Sequence, residues 1–328
     1  MSKYKTFDRS RLTLGGLRER KSKFDVSRII DPDSAPPVLG PADEKKVEEV
    51  ARYLLESKNR GRPIVMAYGA HLIKNGCSAI LARLMEMGFV QQLLTNGAGA
   101  IHDFELSYLG KTEEDVRETM SRGQMGLWDE TGKYINLSII AGNRQNLGYG
   151  ESLGKSILEE RVDEETIDFP FKKASILARA YELSIPLSVC VGIGQDITHA
   201  HPLCDGAAVG ATSYRDFLIF AKTLSDLEDG VFLSMGSAVM SPMVFEKAIS
   251  MAKNLAVGNR RTLNRYKIVV NDIQPMECDW HEKEPGKDHP SYYTRFFKSF
   301  SRAGGDFVYV QLDNRAFIHN LYKKLVSP

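Results

Sequence analysis

The sequence has few cysteines and no long apolar run. Its 328 residues include 4 cysteines, which stand far apart and form no CxxC pair. It therefore predicts neither a disulfide framework nor a zinc ribbon. No apolar stretch approaches the ~18 residues that a membrane-spanning helix needs, and the N-terminal segment lacks the apolar core of a secretion signal. We therefore expect a cytoplasmic protein that does not bind membranes.

A strong excess of either charge is also absent. Lysine and arginine total 43 against 42 aspartates and glutamates, which leaves a net charge of +1. Because affinity for nucleic acid depends largely on neutralising phosphates, this balance argues against a nucleic-acid partner. Hydrophobic residues make up 43% and charged residues 26%, a composition typical of globular proteins and not of disordered or fibrous ones.

The first 40 residues differ in composition from the rest. Residues 1–30 contain nine lysines and arginines and three acidic residues. Prolines at positions 32, 36 and 37 then restrict the backbone, because proline fixes φ. We interpret residues 1–40 as a basic N-terminal arm with a proline-rich connector, either solvated or folded over a neighbouring subunit or an anionic ligand. Residues 41–328 are predicted to form a single α/β domain.

From residue 41 onwards, short apolar runs alternate with amphipathic segments. A helix is predicted to begin at Pro41 and to end before Gly61. The predicted strands cover residues 64–67, 90–95, 186–191, 231–235, 268–271 and 307–311. Helical patterns cover residues 78–87, 171–183, 214–224, 242–255 and 292–302, while residues 135–141 fit either another strand or an insertion. This alternation predicts a doubly wound, Rossmann-like parallel sheet covered on both faces.

Glycine-bearing turns follow four of the predicted strands. Ligands bind beyond the carboxyl ends of parallel strands, and glycine lets the backbone approach a phosphate closely. We therefore predict a dinucleotide site formed by His71, Asn96, Gly97, Ala98, Gly99, Gly194, Gly236 and Ser237. None of the turns matches GxGxxG, and tight turns between strands and helices need glycine as well. Both interpretations stay open.

A segment rich in potential ligands follows the third predicted strand. His199 and His201 stand one residue apart, with Asp196 and Cys204 nearby, and these are the ligand types of zinc or iron. One interpretation is a metal site formed by His199, His201 and Cys204. Another is that a histidine acts as general acid or base beside Asp196, and a third is a pair of polar loop histidines.

His102 and Asp103 follow the second glycine turn. A histidine and a carboxylate at that position suit the orientation of a substrate amine or of a ribose. Alternatively, Asp103 caps the next helix, as aspartate often does.

These segments resemble deoxyhypusine synthase, a family that uses NAD to oxidise spermidine and transfers an aminobutyl group to a lysine. Residues 70–76 are similar to its Ser-Asn-Leu-Ile-Ser-Ser-Gly turn, and residues 95–103 to its Thr-Thr-Ala-Gly-Gly-Val-Glu-Glu-Asp segment. Residues 304–309 are similar to its Gly-Ala-Asp-Tyr-Ala-Val-Tyr strand. The likeness extends in order over residues 40 to 312. It implies a deoxyhypusine synthase-like NAD-binding fold and a homo-oligomer, either a dimer or a tetramer.

The sequence also departs from this family. The family's catalytic lysine segment, Gly-Ala-Arg-Pro-Asp-Glu-Ala-Val-Ser-Trp-Gly-Lys, has no counterpart, and its paired glutamates are replaced by Ile101 and His102. Without that lysine the covalent imine does not form in the family's manner. The resemblance therefore implies an NAD-binding protein with redox or transfer chemistry on a small amine-bearing substrate such as a polyamine, and not modification of a protein lysine.

Three functional hypotheses result. In the first, the catalytic residues of the NAD-binding protein are His102, Asp103, Asp196, His199 and His201. The second is a metal-dependent hydrolase that uses Asp196, His199, His201 and Cys204. The third is a non-catalytic homologue.

Overall fold

The structure is a computed structural model that describes residues 3–278, 280 and 285–327, with the side chain of Arg295 excepted. Its strands are β1 (Ser22–Asp25), β2 (Ile64–Tyr68), β3 (Gln92–Asn96), β4 (Lys111–Glu114), β5 (Arg161–Val162), β6 (Glu165–Thr166), β7 (Leu187–Cys190), β8 (Val231–Met235), β9 (Lys267–Asp272) and β10 (Asp306–Gln311). Its helices are α1 (Pro41–Asn59), α2 (Ala70–Lys74), α3 (Ser78–Glu86), α4 (Gly97–Leu109), α5 (Val116–Ser121), α6 (Asp129–Arg144), α7 (Tyr149–Leu158), α8 (Ile176–Glu182), α9 (Gly206–Leu224), α10 (Met240–Gly258), α11 (Arg295–Arg302) and α12 (Asn314–Val326).

Six strands form one parallel sheet in the order β10-β9-β8-β2-β3-β7. These are the six strands that the sequence predicts. The chain places the first three from β2 outward to β7, and then returns to the other side of β2 for the remaining three. This is the strand order of the Rossmann fold, so the predicted α/β class is confirmed. The winding direction reverses between β2 and β8.

Both faces of the sheet are buried. Along β2, Ile64, Met66 and Tyr68 belong to one hydrophobic core, whereas Val65 and Ala67 belong to the core on the opposite face. Successive side chains of a strand point to opposite faces, so a strand between two cores is apolar along most of its length. This explains the continuous apolar runs in the sequence.

Several predicted boundaries shift because capping residues fix them. α8 begins at Ile176 because the Ser175 hydroxyl accepts a hydrogen bond from the Ala178 N–H, and α9 begins at Gly206 because Asp205 caps it. Residues 135–141 lie inside α6, so a strand is wrong there, and α6 is one of several elements between the neighbouring strands β3 and β7. Among the described residues no helix combines the length and apolarity that crossing a membrane requires.

Part of the N-terminal segment packs on the rest of its own chain. Leu17 and Phe24 are buried, and β1 pairs antiparallel with β4, with Phe24 opposite Thr112. The connector continues this contact, since the Pro32 and Pro37 carbonyls accept hydrogen bonds from α12. The expectation of a solvated arm is therefore wrong over these residues. The division into residues 1–40 and a single domain over 41–328 stays a prediction.

Candidate functional site

A cleft of about 520 Å³ opens beyond the carboxyl ends of β3 and β7. The first turns of α4 form one wall, the loop after β7 forms another, and β4 with α5 forms the third. It is lined by Lys23, Lys74, Ala98, Ile101, His102, Glu113, Glu114, Asp115, Val116, Arg117, Met125, Gln195, Asp196 and Ile197. Three residues predicted for the site, Ala98, His102 and Asp196, are therefore brought together here.

Asp196 lies against the first residue of α4. A Cβ atom built on Gly97 would lie 2.3 Å from Oδ2 of Asp196, so the carboxyl group occupies the space that a side chain at 97 would need. Oδ2 is buried without a hydrogen-bond partner among the described residues. Burial raises the pKa of Asp196 to about 6. A buried carboxylate oxygen without a partner is suited to a cationic ligand.

His102 also lines the cleft. Its Nδ1 lies 2.7 Å from the Thr112 hydroxyl, and burial is the main cause that lowers its pKa to about 4. The ring is therefore neutral near pH 7, as a hydrogen-bond or proton acceptor must be. His102 lies in the second turn of α4, not in the loop before it, because Asn96 caps the helix earlier.

Glu105 is the residue of this region that the sequence analysis missed. Arg20 donates to both of its carboxylate oxygens at 2.7 Å, the Thr131 hydroxyl donates at 2.9 Å, and the Thr112 hydroxyl donates at 2.5 Å. All of these side chains lie inside the protein. The available signal was an acidic residue within an apolar helical stretch, three residues after His102 and hence on the same face.

Asp103 points away from the cleft. It is fully buried, and its carboxylate accepts hydrogen bonds from the Ser175 hydroxyl and from the N–H groups of Ile176 and Leu177. The structure thus contradicts its predicted contact with substrate. It does cap a helix, but that helix is α8 and not the next one in sequence.

His199 and His201 lie outside the cleft lining. The Gly194 N–H donates to Nδ1 of His199 at 3.2 Å, whereas Nε2 of His201 lies 3.3 Å from Asp129. Arg9 donates to the main-chain carbonyls of His199, His201 and Cys204. The described part of the chain contains no group of three histidine, cysteine or acidic side chains that could hold a metal ion. The metal site predicted at His199, His201 and Cys204 is therefore not formed.

His71, Gly236 and Ser237, which the sequence also predicts for the dinucleotide site, lie near the point where the strand order reverses. A Cβ atom on Gly69 would lie 2.1 Å from the Gly236 carbonyl oxygen, so β2 and β8 end in contact through two glycines. Gly236 has φ +57°, which favours glycine. Ser237 follows it, and its hydroxyl accepts from the Ser241 N–H at 3.3 Å. His71 is exposed in the first turn of α2.

Amide side chains lie close to Gly236, and the sequence analysis did not predict them. The Asn75 amide donates to Oδ1 of Asn314 at 2.8 Å, and the Asn271 amide donates to the carbonyls of Val310 and Leu312. Oδ1 of Asn271 is buried without a partner among the described residues. Asn75 follows α2, Asn271 lies in β9 and Asn314 begins α12, so their convergence depends on the strand order and not on a local pattern.

The Gly97-Ala98-Gly99 turn is explained by packing. Asn96 Oδ1 accepts from the Gly99 N–H at 2.8 Å, and a Cβ atom on Gly99 would lie 2.1 Å from the Thr95 hydroxyl. Both glycines are thus required by neighbouring side chains whether or not a phosphate binds. Gly194 has φ +85° with open space around it.

Comparison with known proteins supports the fold. Residues 48–161, about a third of the chain, match the family model described as the arginine dihydrolase ArgZ-like C-terminal Rossmann fold. No curated protein matches the sequence.

Two solved structures are similar over most of the chain. The complex of AgrE with ornithine and NAD+ has 20% sequence identity and a TM-score of 0.53, covering 88% of this chain and 34% of AgrE. A conserved LOR/SDH-type protein from Methanococcus maripaludis S2 has 19% identity and a TM-score of 0.51, and the match covers 90% of this chain and 73% of the Methanococcus chain. This chain spans about a third of the length of AgrE.

A protein from Entamoeba histolytica assigned as a deoxyhypusine synthase is more distant, with 9% identity and a TM-score of 0.47. The comparisons support a Rossmann-type α/β protein, and they do not support the deoxyhypusine synthase family specifically.

Proposed function

We propose that this protein binds NAD at the carboxyl edge of its sheet and carries out redox or transfer chemistry on a small amine-bearing substrate. One observation carries the proposal. The reversal of strand order falls at Gly69 and Gly236, and α2 connects this point to a cleft with a buried, unpartnered carboxylate oxygen. α2 begins beside Gly69 and ends at Lys74, which lines the cleft.

The residues at the reversal suit a dinucleotide. Dinucleotides bind Rossmann sheets in the crevice where the strand order reverses. Among the described residues other than its chain neighbours, a Cβ atom on Gly236 would contact Asn314 Nδ2 alone, at 3.5 Å, so this glycine leaves room for a ligand to approach the backbone. The main chain at Gly69 and Gly236, with Ser237 and His71, would hold NAD there. When bound, NAD supplies a hydride acceptor.

Four carboxyl groups and three cationic side chains, Arg117 among them, line the cleft, a balance that favours a cationic substrate. Lys74 pairs with Glu113 at 3.2 Å, and Lys23 pairs with Asp115 at 3.0 Å. Asp196 has no such cation among the described residues, and its Oδ2 has no hydrogen-bond partner there. An ammonium group would pair with this carboxylate and keep it ionised.

His102 completes the proposed site. Its neutral imidazole would accept a hydrogen bond from the substrate's ammonium group and so orient the amine. AgrE is described with ornithine and NAD+ bound, so ornithine is a rational first test ligand together with the polyamines. Assembly into a dimer or tetramer and absence of nucleic-acid binding stay predictions.

NAD binding is tested by calorimetry on the whole chain with NAD+ and NADP+. The informative variant is Gly236→Ala, which adds a methyl group at the reversal. Its matched control is Gly61→Ala, since Gly61 also has a positive φ of +61° and open space, but follows α1 elsewhere in the chain. We expect NAD+ binding by the wild type, at least tenfold weaker binding by Gly236→Ala, and unchanged binding by Gly61→Ala. A wild type that binds neither nucleotide would rule out the proposed NAD site.

Substrate use is tested with ornithine, putrescine and spermidine in the presence of NAD+. NADH absorbance follows the reaction, and KM measures the apparent affinity for the amine. Asp196→Asn keeps the shape of the side chain and removes its charge, so we expect at least tenfold weaker binding of the active amine. Equal affinity in wild type and Asp196→Asn would rule out the proposed ammonium site.

A further inference from the structure

We infer that Thr112 is a positioning residue that fixes His102 in the tautomer with its proton on Nδ1, so that Nε2 faces ligands as an acceptor. Hydrogen bonds connect Arg20, Glu105, Thr112 and His102 in that order, and we call this series the relay. The buried pair of Arg20 and Glu105 sets the direction of every hydrogen bond in it. The role of His102 rests on the proposed function, whereas its tautomer is a property of the protein alone.

Glu105 provides the fixed end of the relay. Arg20 holds both carboxylate oxygens at 2.7 Å, and the two side chains are only 2% and 1% exposed. Burial alone would raise the pKa of Glu105, but hydrogen bonding and charge from Arg20 oppose it, and the net direction is downward. Glu105 is therefore ionised and can only accept hydrogen bonds.

Thr112 transmits this constraint. Its hydroxyl has one proton, and that proton is directed to Oε2 of Glu105 at 2.5 Å. Towards His102, at 2.7 Å, the same hydroxyl oxygen can then only accept. Nδ1 of His102 must consequently donate and carry the ring proton. The lone pair of the neutral ring is left on Nε2.

The relay joins two neighbouring elements, α4 and β4, to the N-terminal segment, which is distant from them in sequence. Arg20 comes from the N-terminal segment, Thr112 from β4, and His102 and Glu105 from one face of α4. The antiparallel pairing of β1 with β4 holds Thr112 opposite Phe24. The N-terminal segment thus contributes to the chemistry of the cleft although most of the cleft lining comes from later residues.

His199 provides an internal contrast. The Gly194 N–H donates to its Nδ1, so the proton of the neutral His199 ring must be on Nε2. The protein therefore holds two histidines in opposite tautomers, and only His102 is connected to a buried carboxylate.

The tautomers are measured by long-range proton–nitrogen NMR correlations on the full chain with nitrogen-15-labelled histidine, without NAD or substrate. His102→Gln and His199→Gln assign the two rings. We expect Nδ1–H for His102 and Nε2–H for His199. In Thr112→Val the His102 ring should lose its preference for Nδ1–H, and in Thr112→Ser it should keep it. An Nε2–H ring at His102 in the wild type, or an unchanged ring in Thr112→Val, would overturn the inference. The spectra of the wild type and Thr112→Ser decide the matter even if Thr112→Val does not fold.

The kinetic consequence is measured with the active amine. Because a misplaced orienting group can cost about 100-fold in rate, we expect kcat of Thr112→Val to fall by about that factor with little change in KM, and Thr112→Ser to recover most of it. Equal kcat values in Thr112→Val and wild type would contradict the positioning role. If the protein proves not to bind NAD, the tautomer measured by NMR still stands or falls by itself.

Discussion

The two sides of α4 hold neighbouring acidic residues with opposite roles. Asp103 faces α8, and its carboxylate accepts hydrogen bonds from one hydroxyl and two main-chain N–H groups. Glu105, two residues later, faces the N-terminal segment and is connected through Thr112 to His102. Each residue of a helix is rotated by about 100° from the last, so adjacent residues reach different surroundings. The sequence therefore did not predict which of the two carboxylates is connected to the cleft.

The partners of the two carboxylates differ in kind. Asp103 binds the start of α8, where free N–H groups need an acceptor. Glu105 binds a charged side chain from residue 20, which must be brought in by the folding of the N-terminal segment. We expect loss of Glu105 to affect both stability and the cleft, and loss of Asp103 to affect stability alone.

The largest effect is expected for Glu105→Ala. Removing one member of a buried ion pair leaves the other charge unpaired and typically costs about 3–5 kcal/mol. Urea denaturation measures this loss. Glu164→Ala is the matched control because Glu164 is exposed, and such surface changes alter the free energy of unfolding by about 0.5 kcal/mol or less. Equal stability of the two variants would show that the Arg20–Glu105 pair does not stabilise the fold.

Asp103→Ala should have the next largest effect. It leaves buried donors at the start of α8 without an acceptor, which costs about 1–3 kcal/mol. Asp103→Asn retains one acceptor oxygen and should lose less. Affinity for NAD+ and for the amine should be unchanged in Asp103→Asn, as calorimetry would show. A change in amine affinity would contradict the expectation that Asp103 affects stability alone.

The smallest effect is expected for Asp196→Asn, and it depends on pH. Burial raises the pKa of Asp196 from 3.8 to about 6, so between these pH values the folded protein holds a proton that the unfolded chain has released. The contribution of Asp196 to stability is therefore present below pH 4 and is lost as the pH rises to about 6.

Asp196→Asn lacks this titration, so the difference in stability between the variant and the wild type should grow in favour of the variant between pH 4 and 6. The change is on the order of 1–2 kcal/mol. Denaturation curves at a series of pH values measure it, and a difference that stays constant with pH would contradict the pKa assigned to Asp196.

Much of the fold could be predicted because its signals are local. A strand buried on both faces is apolar along most of its length, and this pattern located β2, β3, β7, β8, β9 and β10. The placement of Asp196 at the mouth of the sheet followed from the rule that loops after parallel strands meet at one edge. The predicted substrate contact of Asp103 and the predicted metal site of His199, His201 and Cys204 are not formed, because each depends on which way a side chain turns and on what packs against it. Composition did not show that the basic N-terminal segment would fold onto α4.

The sequence by itself determined the α/β class, the order of strands along the chain and the glycines at their ends, since hydrophobic periodicity and turn chemistry are properties of neighbouring residues. Only the tertiary structure decided that β8 returns beside β2, that Asp196 occupies the space against Gly97, and that Arg20 reaches Glu105. Those arrangements bring together groups separated by many residues, and no local pattern encodes a contact whose partner lies elsewhere in the chain.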